Sequence, residues 1–355
     1  MWGVALWVSV LLGAILAANW GADQLSVPLQ KLRQQWGLSE AAGAAFVAMA
    51  TASPEIGTNT ASALQGLADI GLGNLLGSNI VSVPAIVLVA YVANRSRPED
   101  ADDAARDGNG EGRPGNSEAV TAPPATRRLL RLKREALTVQ AIPYVIVIAI
   151  AALLTVPAPW QGLQPIDGVI MLVVYVVYLA QAILRQRQDG RPVSWTPGEV
   201  WRSVAGVLAL AMGAYLTVMA TENLVSFFGI SELIGGLFIT STLSIAPEVF
   251  ATWSVARSGQ VTAATTSVIA DNTATMSLAM VPLAFVGLPI RDLPMFLVNL
   301  GFVALFGVAY GALVNWGDEK GKYSFELWEV GLLVALYLLY LAVIIFGFLR
   351  AGAPF

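Results

Sequence analysis

The chain has 355 residues, of which 56% are hydrophobic and 12% charged, with a mean hydropathy of +0.66 and a net charge of −4. Soluble domains carry about 25% charged residues, so this surface is not built mainly for water and an integral, multi-pass membrane protein is expected. Cysteine and histidine are both absent, which excludes disulfides, thiolate nucleophiles, imidazole metal ligands and an imidazole proton switch.

Taken in chain order, apolar windows of about 17–25 residues predict ten spans at about 2–19, 40–65, 68–93, 137–156, 166–184, 202–223, 231–256, 261–287, 293–314 and 327–349. No Lys or Arg precedes Lys31, so the first window lacks the basic start of a secretory signal and is expected to be a retained helix. The loop at 94–136 interrupts the series. Its first part, RPEDADDAARDGNGEGRPGNSEAVTAPPAT, has almost no large apolar residues and is expected to be disordered. Its end, RRLLRLKRE at 127–135, is basic and amphipathic. It suits either a helix lying on an anionic cytoplasmic leaflet, in contact with lipid headgroups, or a plain stop-transfer flank. A second cytoplasmic linker is expected at 185–201.

The basic residues set the orientation. Loops after spans 1, 3, 5, 7 and 9 hold 18 of the 20 Lys and Arg residues, including Lys31, Arg33, nine from Arg95 to Arg134, Arg202 and Arg257. Arg291 and Arg350 are the exceptions. By the positive-inside rule the odd loops are cytoplasmic, both termini are non-cytoplasmic, and the plasma (inner) membrane is the expected location.

Within span 2 the sequence TASPEIG, residues 51–57, puts a proline and a glutamate in an otherwise apolar and small-residue stretch. The pair recurs 193 residues later as Pro247-Glu248, and the same offset lays Thr51 on Ser244, Gly66 on Gly259 and Asn79 on Asn272. Each pair lies early in the second helix of a five-span half and is followed by a tight turn and a polar-studded helix. Five is odd, so the halves enter the membrane in opposite orientations. The fold class expected is therefore an all-α membrane protein of about ten transmembrane helices in two inverted five-helix repeats. The first occupies 1–93 and 137–184, with its motif region at about 40–93; the second occupies 202–350, with its motif region at about 231–287.

The deep polar residues are Thr51, Ser53, Glu55, Thr58, Asn59, Asn74, Ser78, Asn79 and Ser82 in the first half. The second half has Thr240, Ser241, Thr242, Ser244, Glu248, Thr252, Thr265, Thr266, Ser267, Asp271, Asn272, Thr273 and Thr275. All are oxygen donors or amides, and no cationic side chain is among them. A charge at the bilayer centre costs at least about 2.5–3.5 kcal/mol on insertion scales, so Glu55, Glu248 and Asp271 require neutralisation by metal ions, monovalent ions or protons. Hard oxygen ligands suit Ca²⁺ better than a softer metal. Proline frees backbone carbonyls in the preceding turn, and such carbonyls can join a cation site where they face protein or water.

These motifs resemble the calcium/cation antiporter superfamily, the sodium/calcium exchangers and their relatives. The family pattern, roughly G-T-S-x-P-E and then G-N-x-x-G-S-N-I-x-N, is met by Ala50-Thr51-Ala52-Ser53-Pro54-Glu55 and by Gly73-Asn74-Leu75-Leu76-Gly77-Ser78-Asn79-Ile80-Val81-Ser82. The second repeat, Leu243-Ser244-Ile245-Ala246-Pro247-Glu248 and then Thr266 to Thr275, keeps Pro-Glu, the spacing and Asn272. The resemblance implies that Glu55 and Glu248 ligate Ca²⁺, with the backbone carbonyls of Thr51 and Ser244 completing the site, and that Ser78 serves Na⁺. The chain also departs from the pattern. Ala52 and Ile245 stand where the exchangers carry serines that attend Na⁺, Ser82 and Thr275 occupy the later amide or carboxylate position, and Asp271 replaces a serine. The divalent site is kept while the sodium sites are rebuilt, which leaves Na⁺ and H⁺ both open as counter-ion. Asp271, with Ser78, Asn74, Asn79, Asn272, Ser82 and Thr275, forms the candidate coupling-ion set.

The resulting expectation is a secondary antiporter that exports Ca²⁺ in exchange for Na⁺ or H⁺, needing no cofactor, engaging inorganic cations and lipid but no nucleic acid. An antiporter of drifted selectivity (Mn²⁺, Mg²⁺ or a monovalent exchange) and a cation channel are the alternatives. A membrane enzyme is disfavoured because no nucleophile or substrate-activating group is recognisable.

Overall fold

In the absence of water a backbone must satisfy its own hydrogen bonds, which makes helices of long apolar runs. The computed structural model describes residues 2–35, 48–96, 130–131, 140–185, 192–257, 261–315 and 324–349. Helix α1 runs Trp2–Gln35, α2 Ser53–Leu64, α3 Ala68–Arg95, α4 Ile142–Thr155, α5 Pro165–Arg185 and α6 Pro197–Phe228. Then α7 comprises Glu232–Ile234, a π-helical Gly235–Thr240 and Ser241–Ser244, and α8 is Ala246–Arg257. Helix α9, Val261–Ala274, continues through a π segment, Thr275–Ala279, into Met280–Phe285; α10 is Leu293–Asn315 and α11 is Leu327–Ile344.

The count of ten spans is not reproduced as such. Among the described residues seven helices are long and apolar enough to cross a membrane, while Ile142–Thr155 and Pro165–Gln181 are apolar but shorter. The window expected at 40–65 is described only from residue 48, so residues 40–47 lie outside it. Boundaries also move. Helix α1 extends sixteen residues past its expected end at residue 19, because the sequence from Trp20 to Gln35 is rich in residues that propagate helix. Helix α6 starts at Pro197, not 202, because Thr196 and Glu199 form a reciprocal capping box with proline at the first helical position.

A two-residue pairing accompanies the all-helical fold. Leu130–Arg131 (β1) pairs antiparallel with Ser324–Phe325 (β2), Leu130 opposite Phe325. The basic segment is therefore extended, not helical, at these two positions. Phe325 anchors the pairing: it is fully buried, with its ring 5.5 Å from that of Tyr310. The rest of 127–135 and the acidic stretch 97–126 lie outside the described residues.

Helices α1 and α6 run antiparallel along each other. Lys31 pairs with Glu199 and donates to the Ser194 carbonyl at one end, Gly21 meets Gly206 and Leu210 further along, and Gly213 meets Ala14 and Ala18. A Cβ on Gly213 would lie 2.5 Å from the Ala14 oxygen, so these backbones touch only because side chains are missing. Helices α3 and α9 form the centre: 72% and 78% of their apolar windows are buried, against 22% for α1 and α11. Gly73 and Gly77 of α3 seat its backbone directly on α7 at Leu233, Gly236 and Leu237.

The helices interrupted near Pro54 and Pro247 break at matching places, Ala52 and Ile245, and the twelve-residue helices that follow, Ser53–Leu64 and Ala246–Arg257, are 193 residues apart at both ends.

Candidate cation site

A proline cannot donate to the carbonyl four residues before it. For Pro54 that carbonyl is Ala50, and it accepts the Ser53 hydroxyl at 2.6 Å instead. On either side of the break, Ala52 N–H donates to Ala48 and Ile56 N–H to Ala52. The second repeat has Ala246 where the first has Ser53, so no hydroxyl plays that part there.

Glu55 follows one residue after the proline and is 3% exposed, and its Oε2 has no hydrogen-bond partner among the described residues. The Ser244 hydroxyl, at the end of α7, lies within hydrogen-bonding reach of that carboxylate and donates to the Ser241 carbonyl at 3.0 Å. Glu248 is half-buried. Both glutamates feel the charge of Asp271, and Glu248 that of Glu55 as well. Asp271, on α9, accepts the Thr51 hydroxyl at 2.7 Å and takes Thr275 Oγ1 at 3.5 Å, while the same Thr275 hydroxyl donates to the Asp271 carbonyl at 2.9 Å. Thus Thr51 of the first repeat is tied to Asp271 of the second, and Glu55 of the first sits beside Ser244 of the second.

Other buried acids show that Glu55 is unusual. Asp167 accepts the Gln164 N–H at 2.7 Å and Glu329 accepts the Glu326 N–H at 2.7 Å, each at a helix start. Both offset orphan donors of a helix terminus; Glu55 Oε2 has no such role.

The remaining expected residues divide into two groups. Ser82 donates to Asn272 Oδ1 at 3.0 Å, joining α3 to α9 across the repeats, and Asn272 Nδ2 is buried without a well-formed hydrogen bond. Asn74 Nδ2 donates to Asn59 Oδ1 at 3.3 Å and its own Oδ1 has no partner among the described residues. By contrast Ser78 turns its hydroxyl to the Leu75 carbonyl at 3.3 Å, and Asn79 is used at both ends, by the Leu75 carbonyl and by Tyr144. No group of three or more carboxylates close enough to hold a metal ion occurs among the described residues. A cation here would therefore draw on hydroxyl, amide and carbonyl oxygens beside two acids, the mixed oxygen shell that Ca²⁺ accepts.

Two residues bonded into this network lie outside the candidate site set. Asn59, whose Nδ2 donates to the Ala279 carbonyl at 3.0 Å, is one more polar residue in a polar helix, and no spacing singles it out. Tyr144, whose phenol donates to Asn79 Oδ1 at 3.0 Å, is a lone hydroxyl in an apolar span and carries no sequence signal.

Helices of this length and apolarity, crossed by paired helix breaks that each carry a buried or half-buried acid, define a multi-pass membrane transporter. The sequence model of the sodium/calcium exchanger proteins matches residues 6–184 and 199–346, and the chain belongs to that family of cation exchangers. CaxA of Alkalimonas amylolytica, a provisionally assigned antiporter, is 24% identical over 259 residues, 69% of either chain. The fold is also that of two solved proteins. One is the H⁺/Ca²⁺ exchanger CAX (TM-score 0.66, 13% identity, 97% of this chain and 81% of that one). The other is the sodium-calcium exchanger NCX_Mj (TM-score 0.60, 18% identity, 96% and 99%).

Proposed function

We propose that the protein is a secondary active antiporter that exports Ca²⁺ across the plasma (inner) membrane in exchange for Na⁺ or H⁺, by alternating access of two inverted five-helix repeats. Glu55 and Glu248 are the carboxylates of the transported-cation site, with Thr51 and Ser244 beside them. The observation that carries this reading is the Glu55 carboxylate: buried, half without a hydrogen-bond partner, at a proline break that recurs 193 residues later next to a second glutamate. The antiparallel course of α1 and α6, which open the two halves, supports the inversion. Lys31 and Arg202 fall at the same end of that pair, in keeping with both termini lying on the non-cytoplasmic side.

A second reading, drifted selectivity, draws support from Ala52, Ile245 and Asp271, where the family's sodium positions differ. Ca²⁺ uptake into proteoliposomes, driven separately by an outward Na⁺ gradient and an outward proton gradient, separates these. Uptake under one gradient identifies the counter-ion, flux without a trans ion marks a channel, and failure under both overturns the calcium reading.

Asp271 is assigned to coupling because it is tied to Thr51 and Thr275 and, among the described residues, to no cationic side chain. Asp271→Asn keeps an acceptor for the Thr51 hydroxyl but removes the charge. The variant is expected to keep its fold and to lose the wild-type dependence of transport on pH or on Na⁺. An unchanged dependence removes Asp271 from the coupling path.

A further inference from the structure

The two repeat-related asparagines, Asn79 and Asn272, are not in equivalent settings, and the difference traces to one side chain from outside the motif helices. Tyr144, near the start of α4, is fully buried, and its hydroxyl donates to Asn79 Oδ1 at 3.0 Å. Asn272 lies beside the same phenol, but its Nδ2 makes no hydrogen bond among the described residues. Its Oδ1 accepts from Ser82, which stands three residues beyond Asn79 on α3. The polar chain thus runs from α4 to α3 through Asn79, and from α3 to α9 through Ser82.

The phenol is held from behind as well. Gly307 of α10 faces its ring: a Cβ built there would lie 3.0 Å from Tyr144 Cε1 and 3.1 Å from Cδ1. The ring has no room to retreat from the asparagines. Asn79 is thereby locked at both ends, since its Nδ2 already donates to the Leu75 carbonyl at 2.8 Å. Asn272 precedes Thr273 and follows Asp271, so whatever fixes its side chain fixes the face on which α9 offers Asp271 to Thr51.

We propose that Tyr144 is a positioning residue for the cation site: its hydroxyl fixes Asn79, and with it the face of α3 on which Ser82 holds Asn272, and so sets the register in which Asp271, the neighbour of Asn272, meets Thr51. This rests on the transport reading of the Glu55–Asp271 region. The clamp acts on one repeat's asparagine more than on its mate, which makes the site asymmetric although the motif is duplicated. Removing the hydroxyl leaves the buried Asn79 oxygen without its donor, which lowers stability, while the ring still fills the space, so the cation response and not the stability alone separates positioning from packing.

The test is Tyr144→Phe, which deletes only the hydroxyl, read beside Gly307→Ala, which presses on the ring and leaves the hydroxyl in place. Two quantities are measured on full-length purified protein. One is the rise in unfolding temperature with added Ca²⁺, Mn²⁺, Mg²⁺ or Na⁺; the other is the concentration giving half-maximal uptake in proteoliposomes. For Tyr144→Phe the half-saturating concentration of the transported cation is expected to rise about 3- to 10-fold, the span that one hydrogen bond commands, with maximal uptake close to wild type and a somewhat lowered cation-free unfolding temperature. Gly307→Ala is expected to shift the same constant in the same direction. A Tyr144→Phe protein whose only change is a lower cation-free unfolding temperature shows the phenol to be packing alone and overturns the assignment, as does a variant indistinguishable from wild type. If no cation in the panel stabilises or is carried by the wild-type protein, the transport reading itself fails, and the inference with it.

Discussion

Glu55→Gln is expected to lower Ca²⁺ uptake at subsaturating concentration by about 10- to 100-fold, the equivalent of the 1.5–3 kcal/mol that a hydrogen bond or contact to a charged group contributes. The amide is the same size, so the packing of the buried side chain is preserved. Stability without the cation is expected to be unchanged or improved, because a buried carboxylate with one oxygen unpartnered among the described residues costs more than it returns. What disappears is the cation's stabilisation: wild-type protein gains stability with ligand by mass action, and the variant does not. Asp167→Ala provides the contrast. Asp167 caps the start of α5 by accepting the Gln164 N–H, so the variant is expected to lose up to about 2 kcal/mol of stability and to retain its Ca²⁺ response. If Glu55→Gln behaves like Asp167→Ala, losing stability and keeping its response to Ca²⁺, Glu55 is structural.

Gly73→Val is expected to prevent accumulation of folded protein. A Cβ at this position would stand 2.2 Å from the Leu233 carbonyl oxygen, 2.7 Å from Leu237 N and 2.9 Å from Gly236 Cα, all of them backbone atoms that no rotamer change can move. Overpacking of side chains costs about 1–3 kcal/mol; here α3 must separate from α7, and with it the contact between the two motif regions. Gly236→Val presses on the same contact from the other side, 2.2 Å from the Ile70 carbonyl oxygen, and is expected to behave alike. Gly331→Val, where nothing lies within 4 Å, is the matched substitution expected to fold. Gel-filtration recovery in detergent checks all three. Full recovery of the Gly73 variant would mean that α3 and α7 do not hold this contact.

Much of this arrangement is legible in the sequence because two independent patterns agree. The Pro-Glu pair and the asparagine 24 residues later fall at one offset, and the structure breaks its helices at Ala52 and Ile245 with that same offset. Pairings between helices are not legible. That Thr51 meets Asp271 depends on how the turn before α2 sits against α9, and that Ser82 meets Asn272 on how α3 and α9 are rotated, and a hydroxyl in an apolar helix reads the same whether it faces a partner or bonds its own preceding turn. Ser78 shows the second case: it fits the family motif, yet its hydroxyl bonds the Leu75 carbonyl. Span counting was less secure for a physical reason. Hydropathy marks lipid-compatible residues, but α4, with 14 residues, is shorter than the apolar window it occupies, and the 40–65 window contains a proline break that shortens its helix to twelve.

The length of the α1–α6 pair has a consequence for the lipid around it. At about 1.5 Å per residue, 34 and 32 residues make rods of about 51 and 48 Å, against about 30 Å of hydrocarbon. Their glycine contacts and the Lys31–Glu199 ion pair join them along most of that length, so the two lean together as one strut. The apolar part of α1, Gly3–Leu25 with 23 residues, is about 35 Å long, so the strut is expected to lean further as the bilayer thins, and that lean to reach α2, which packs against α6. Membrane thickness is then expected to act as a mechanical input to the site. Reconstitution in lipids of increasing acyl-chain length should change the turnover of uptake smoothly, and a turnover indifferent to chain length would mean that the excess helix simply stands in water.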